Sequence, residues 1–149
     1  MRLIIAASLA AAAILTVGLS GDSVQTDPWS RGELMDTGAL AKLLKSPGTQ
    51  PTILCVTFPF LYRQRHILHA KYAGPGGKPE GLAALREAVE GMPKDSEIVI
   101  YCGCCPMVKC PNIRPAYQLL KQLGFNHIRV LDMPTNFHTN WSAKGYPVE

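Results

Sequence analysis

Continuous apolar runs rich in β-branched residues alternate along this chain with segments of helical periodicity, and no other feature of it limits the fold so strongly. Thr52-Ile53-Leu54-Cys55-Val56-Thr57, Glu97-Ile98-Val99-Ile100-Tyr101-Cys102 and His127-Ile128-Arg129-Val130-Leu131 read as buried strands. Between them lie stretches with helical spacing. Asp36 or Thr37 caps a helix carrying Leu40, Leu43 and Leu44 on one face, and Pro47-Gly48 ends it. Pro79 opens a second, with Leu82, Leu85, Ala88 and Val89 inward and Gly91 behind. Pro111 takes the first helical position of a third, which runs through Ala116, Leu119, Leu120 and Leu123 to Gly124. Residues 58–66 read as a short helix or crossing, 66–72 as a short extended stretch, and 134–141 as loop with a short helix. Strands that are apolar throughout need cover on both sides, so the pattern predicts an α/β domain: a parallel sheet with helices on both faces.

Such a sheet places its ligand beyond the carboxyl ends of the strands. Cys102 is the last residue of the most apolar strand, so the architecture puts a thiol where its chemistry belongs. The chain has five cysteines. Cys102, Cys104, Cys105 and Cys110 crowd into one loop, whereas a disulfide scaffold would spread them to staple distant segments. The loop Tyr101-Cys102-Gly103-Cys104-Cys105-Pro106-Met107-Val108-Lys109-Cys110-Pro111 joins a strand to a helix N-terminus, where backbone N–H groups collect and stabilise a thiolate. Gly103 permits a sharp turn after the strand. Lys109 and Arg114 are candidate cations for an anionic substrate.

The N-terminus reads as an export signal. Met1-Arg2 precedes an apolar run from Leu3 to Leu19, with Gly18 and Ser20 at the small-residue positions of a cleavage site. Residues 1–20 are then the signal, 21–35 a polar linker and 36–149 the domain. The apolar run is near the shortest length that spans a bilayer, so an uncleaved membrane anchor is the alternative. Export makes the thiols more telling, because free cysteines outside the cytosol need a reducing partner, a metal or one another. The net charge is +4 without any Lys/Arg run, which argues against nucleic acid. A mildly basic surface suits a small anionic ligand. No cofactor is expected.

Several segments together resemble one family. Ile98-Val99-Ile100-Tyr101-Cys102 entering a loop, a helix closing in Leu119-Leu120-Lys121-Gln122-Leu123-Gly124-Phe125, then His127 to Asp132, Trp141, and the closing Lys144 to Glu149 are similar to the C-terminal half of rhodanese sulfurtransferases. Upstream, Pro51 to Val56 and Arg65-His66-Ile67-Leu68-His69-Ala70 resemble that family's first strand and its His-Ile segment. The resemblance covers residues 36–149. It implies a single domain with a five-stranded parallel sheet, and Cys102 as a nucleophile that carries sulfane sulfur as a persulfide. The donor would be a small anion of the thiosulfate type, and the acceptor a thiol, including a protein thiol, or cyanide. The chain departs from the family at three places. Its loop is longer, and the first Arg after Cys102 is Arg114. Cys55-Val56-Thr57 replaces the usual Asp-x-Arg, and Arg65 replaces the Gly before His-Ile.

Cys104, Cys105 and Cys110 leave other chemistry open. One could resolve a Cys102 persulfide, releasing sulfide and forming a disulfide. A disulfide of Cys104 or Cys105 with Cys110 is easier than one between neighbours. The C-x-x-C from Cys102 to Cys105 allows a thiol–disulfide oxidoreductase. Cys102, Cys104, Cys105 and Cys110 together could hold a thiophilic metal in a non-catalytic domain. A Cys-x5-Arg phosphatase loop is absent, since none of the four has Arg at that offset. Cys55, inside an apolar strand, reads as a buried small hydrophobe. His66, His69, His127 and His138 have no ligand spacing, and Phe58, Phe60, Tyr62, Trp141 and Tyr146 read as packing.

Overall fold

A computed structural model describes residues 26–149, so the proposed signal over 1–20 lies outside the described residues. The sheet is five-stranded and entirely parallel. In chain order the strands are β1 (Leu34–Met35), β2 (Thr52–Cys55), β3 (Lys71–Tyr72), β4 (Ile98–Tyr101) and β5 (Ile128–Leu131). Their spatial order is β1-β5-β4-β2-β3. The central strand β4 pairs Cys55 with Tyr101 on one side and Ile100 with Val130 on the other. Among the described residues, no helix is long and apolar enough to cross a membrane.

Alternate residues of these strands feed two cores. Leu54, Ile98, Ile100, Ile128 and Val130 meet Leu85 of α3 (Pro79–Ala88) and Ala116, Tyr117 and Leu120 of α4 (Ile113–Gln122). Ile53, Cys55, Val99, Tyr101 and Leu131 meet Leu40 and Ala41 of α1 (Thr37–Lys45) together with Trp141. Two further helices, α2 (Pro59–Gln64) and α5 (Phe137–Asn140), border the second core near the carboxyl ends of β2 and β4. Leu40, Leu85 and Leu120 are fully buried, and truncating any one to Ala costs about 2–5 kcal/mol.

Two expectations need correction. The segment read as a linker to residue 35 joins the sheet, with Leu34 opposite Val130 and Met35 opposite Leu131. Just before it, Ser30 and Glu33 form a reciprocal cap, Trp29 is buried against the edge of Tyr117, and Tyr117 donates its hydroxyl to Glu33. A two-residue edge strand is too short to carry a period, so only tertiary contact marks it. The third long helix begins at Ile113 rather than Pro111, because Asn112 turns its side chain away from the cap and into the cysteine loop.

Candidate active site

β4 hands the chain to Cys102 at the carboxyl edge of the sheet. Gly103 follows with φ +69°, and a Cβ there would lie 2.8 Å from the Cβ of Phe137. Only glycine combines that backbone with that approach. The Phe137 N–H donates to the Gly103 carbonyl at 2.9 Å, which ties the start of α5 to the turn. The chain then runs out through Cys104 and Cys105, makes a single 3₁₀ turn over Met107–Lys109, and returns at Cys110 to the N-terminus of α4.

This path gathers sulfur. The Sγ atoms of Cys102, Cys104 and Cys110 all lie within 4.8 Å of one another. Cys104 Sγ is 4.0 Å from Cys110 Sγ and 3.1 Å from Cys105 Sγ, and all five cysteines are free thiols. Asn112 closes the cluster from beneath. Its Nδ2 donates to Cys102 Sγ at 3.4 Å and approaches Cys104 Sγ at 3.9 Å, while its Oδ1 accepts the Gly77 N–H at 2.9 Å. The accepted bond fixes which end of the amide faces the sulfurs. The glycine loop can come this close because Gly76 has no Cβ, which would sit 2.2 Å from the Asn112 carbonyl oxygen.

The three thiols do not ionise alike. Hydrogen bonds from Cys102 and Cys104 hold Cys110 well below the ordinary thiol range, helped against burial by the N–H groups of Asn112 and Ile113 at the start of α4. For Cys102, the hydrogen bond with Cys104 favours the thiolate, but that with Cys110, burial and the Cys110 charge outweigh it and push the thiol up to about 11. Cys104 is raised further by its bonds to Cys102 and Cys110 and by burial. Of the three, Cys110 at the helix N-terminus is the one whose surroundings favour the thiolate.

Cys102 opens onto a cleft of about 530 Å³ that Gly103, Cys104, Thr57, Arg65, Phe137 and His138 help to line. Cys55 also reaches this wall, but burial raises its thiol to about 12 and keeps it neutral. Arg65 is exposed at the rim. Thr57 is 2% exposed, and its Oγ1 has no hydrogen-bond partner. Cys105 borders a separate small crevice with Met107, Ile113 and Met133. Lys109 is exposed and does not line the cleft. Arg114 is not a substrate cation: it is 6% exposed, pairs with Asp27 at 2.6 Å, and donates to the Met107 and Cys110 carbonyls. It supports the loop from behind. Asn112, Thr57 and Arg65 carry no motif. The sequence signals among them were two departures from the resemblance: Thr57 in the segment that replaces Asp-x-Arg, and Arg65 where Gly was expected.

A family model described as Rhodanese-like domain matches residues 36–133. The chain belongs to the rhodanese-like family. A crystal structure of the Alr3790 protein from Anabaena sp. superposes with TM-score 0.60 at 24% identity, covering 77% of this chain and 81% of the other. A crystal structure of the BH2092 protein from Bacillus halodurans gives TM-score 0.59 at 23% identity, covering 77% and 74%. The solution structure of the rhodanese-like domain of Alr3790 gives 0.58 at 23% identity, covering 78% of each chain. These likenesses concern the fold. No curated protein matches. As in the family's architecture expected above, the rhodanese-like sheet presents Cys102 at the carboxyl end of its central strand.

Proposed function

We propose that this rhodanese-like protein is a sulfurtransferase that carries sulfane sulfur as a persulfide on Cys102. The observation that carries the reading is the opening of Cys102 onto a cleft whose wall holds a rim cation, Arg65, and a buried hydroxyl without a partner, Thr57 Oγ1. A buried hydroxyl left unpaired is unfavourable by about 1–3 kcal/mol, and an anion's oxygen would satisfy it. A donor of the thiosulfate type fits this layout, with its oxyanion end toward Arg65 and Thr57 and its sulfane sulfur toward Cys102.

The raised Cys102 rests as a thiol. It gives up its proton to solvent, and its Sγ thiolate attacks the sulfane sulfur. The S–S bond of the donor breaks, and sulfite leaves with the electron pair. An acceptor thiolate then attacks the outer persulfide sulfur and carries it away. Cys104 sits beside Cys102 as an internal acceptor. Its attack on Cys102 Sγ would expel sulfide and leave a Cys102–Cys104 disulfide, which an external thiol must reduce before the next cycle.

The test is the intact mass of the reduced protein before and after thiosulfate, with Cys102→Ser alongside. A gain of one sulfur atom that is absent in Cys102→Ser supports the assignment. No gain with thiosulfate or with a polysulfide overturns it.

A further inference from the structure

Sulfur transfer uses Cys102 and one acceptor thiol, and does not itself require that Cys102, Cys104 and Cys110 all meet within 4.8 Å. We infer that Cys102, Cys104 and Cys110 form a three-sulfur site for a soft monovalent cation, copper(I).

The spacing supports three-fold coordination. Sulfurs held about 2.3 Å from a central ion in a trigonal plane stand about 4 Å apart. The Cys104–Cys110 separation is 4.0 Å, and the whole trio lies within 4.8 Å. Cys102 and Cys110 are buried and Cys104 is half-buried, so an ion at the centre would lose most of its water. Soft thiolate sets select copper(I), which is content with three ligands, whereas structural zinc takes four. Among the described residues, no His, Asp or Glu joins the trio. Cys105 touches Cys104 yet falls outside the set, so the four-cysteine site anticipated from sequence reduces to three.

The surroundings suit a thiolate-rich complex. Three thiolates around one monovalent cation leave net negative charge. The Asn112 amide donates toward two of the sulfurs, and the N–H groups of Asn112 and Ile113 face the third. Binding forms three Cu–S bonds and releases to water the protons of those thiols still protonated. No electron changes hands when the metal is supplied as copper(I).

The test is an anaerobic titration of the reduced protein with copper(I) against a chromogenic copper(I) chelator, followed by X-ray absorption. One copper per chain with three sulfurs at about 2.3 Å is expected. Cys104→Ser and Cys110→Ser should yield the metal to the chelator, while Cys105→Ser retains it. Asn112→Ala should weaken retention by about 10–100-fold, as loss of an outer partner does. Failure to hold copper, absorption showing two sulfurs, or equal loss in Cys105→Ser and Cys104→Ser overturns the site. The absorption measurement on the unaltered protein does not depend on how any variant folds. Sulfur loading of Cys102 is read separately by mass, so failure of either assignment leaves the other standing.

Discussion

The Asn112 side-chain amide donates to the Cys102 sulfur at 3.4 Å. Its other end is held by the Gly77 N–H, so the donor cannot flip away without stranding a buried group. Asn112→Asp keeps the shape and replaces the donor with a carboxylate facing the cluster. Like charge lifts the neighbouring thiols. Sulfur loading of Cys102 should slow by about tenfold or more at neutral pH, with its rise moved to higher pH. Asn112→Ala should lower unfolding stability by about 1–3 kcal/mol, because the Gly77 N–H loses its acceptor. Stopped-flow loading across pH, beside denaturant unfolding, checks both. An unchanged pH profile in Asn112→Asp would reduce Asn112 to a structural role.

Much of the frame was legible in the sequence, and the site only in part. Ile98 to Tyr101 are apolar because β4 is covered on both faces, and β5 buries Ile128, Val130 and Leu131 while exposing Arg129; such covered parallel strands advertise themselves by composition. Leu34–Met35 could not advertise itself, since two residues at a sheet edge have no period and are held by Val130 and Leu131. Cys102 was singled out because strand ends in such sheets are where ligands bind. Asn112 was not, because its role depends on Gly77, far away in sequence, and on a loop path that no spacing encodes. Arg114 was misassigned for the same reason. A charge near a loop in sequence says nothing of which side of the loop it faces.

Arg65 stands at the rim of the Cys102 cleft, and among the described residues no acidic side chain forms an ion pair with it. Arg65→Gln should raise the thiosulfate concentration needed for half-maximal loading by about tenfold, the scale of one charge-assisted hydrogen bond. The rate at saturation should stay near its original value. Arg65→Lys should recover part of the affinity, since it restores charge without the planar fork. Loading rates measured over a thiosulfate series separate the two effects. Equal half-saturation in all three proteins would remove Arg65 from the donor site.

Cys102 is held above the ordinary thiol range: its bond to Cys104 favours the thiolate, but its bond to Cys110, burial and the Cys110 charge outweigh it. A raised thiol stays protonated at neutral pH, and only its thiolate attacks sulfur. Loading should therefore climb about tenfold per unit from about pH 6 to 9. Cys110→Ser removes the neighbouring thiolate that holds Cys102 up, so its loading at neutral pH should be faster and its climb should end at lower pH. Single-turnover loading at saturating thiosulfate reads both. A flat profile in the unaltered protein would show that Cys102 is already ionised.

Arg114 lies behind the loop, with its guanidinium against Asp27 at 2.6 Å and near the ring of Trp29. The Asp27 side chain is 47% exposed while that of Arg114 is 7% exposed, so the two halves of the pair are not equivalent. Asp27→Asn leaves the guanidinium its carbonyl partners on Met107 and Cys110, and water screens much of what is lost. Its effect on stability should stay within about 1 kcal/mol. Arg114→Met instead strands those carbonyls and frees the turn that returns Cys110 to the helix. A loss of about 1–3 kcal/mol is expected in urea unfolding. Neither variant should change half-saturation by thiosulfate, because neither side chain lines the cleft. A weakened donor affinity in Arg114→Met, with stability intact, would return Arg114 to the substrate site.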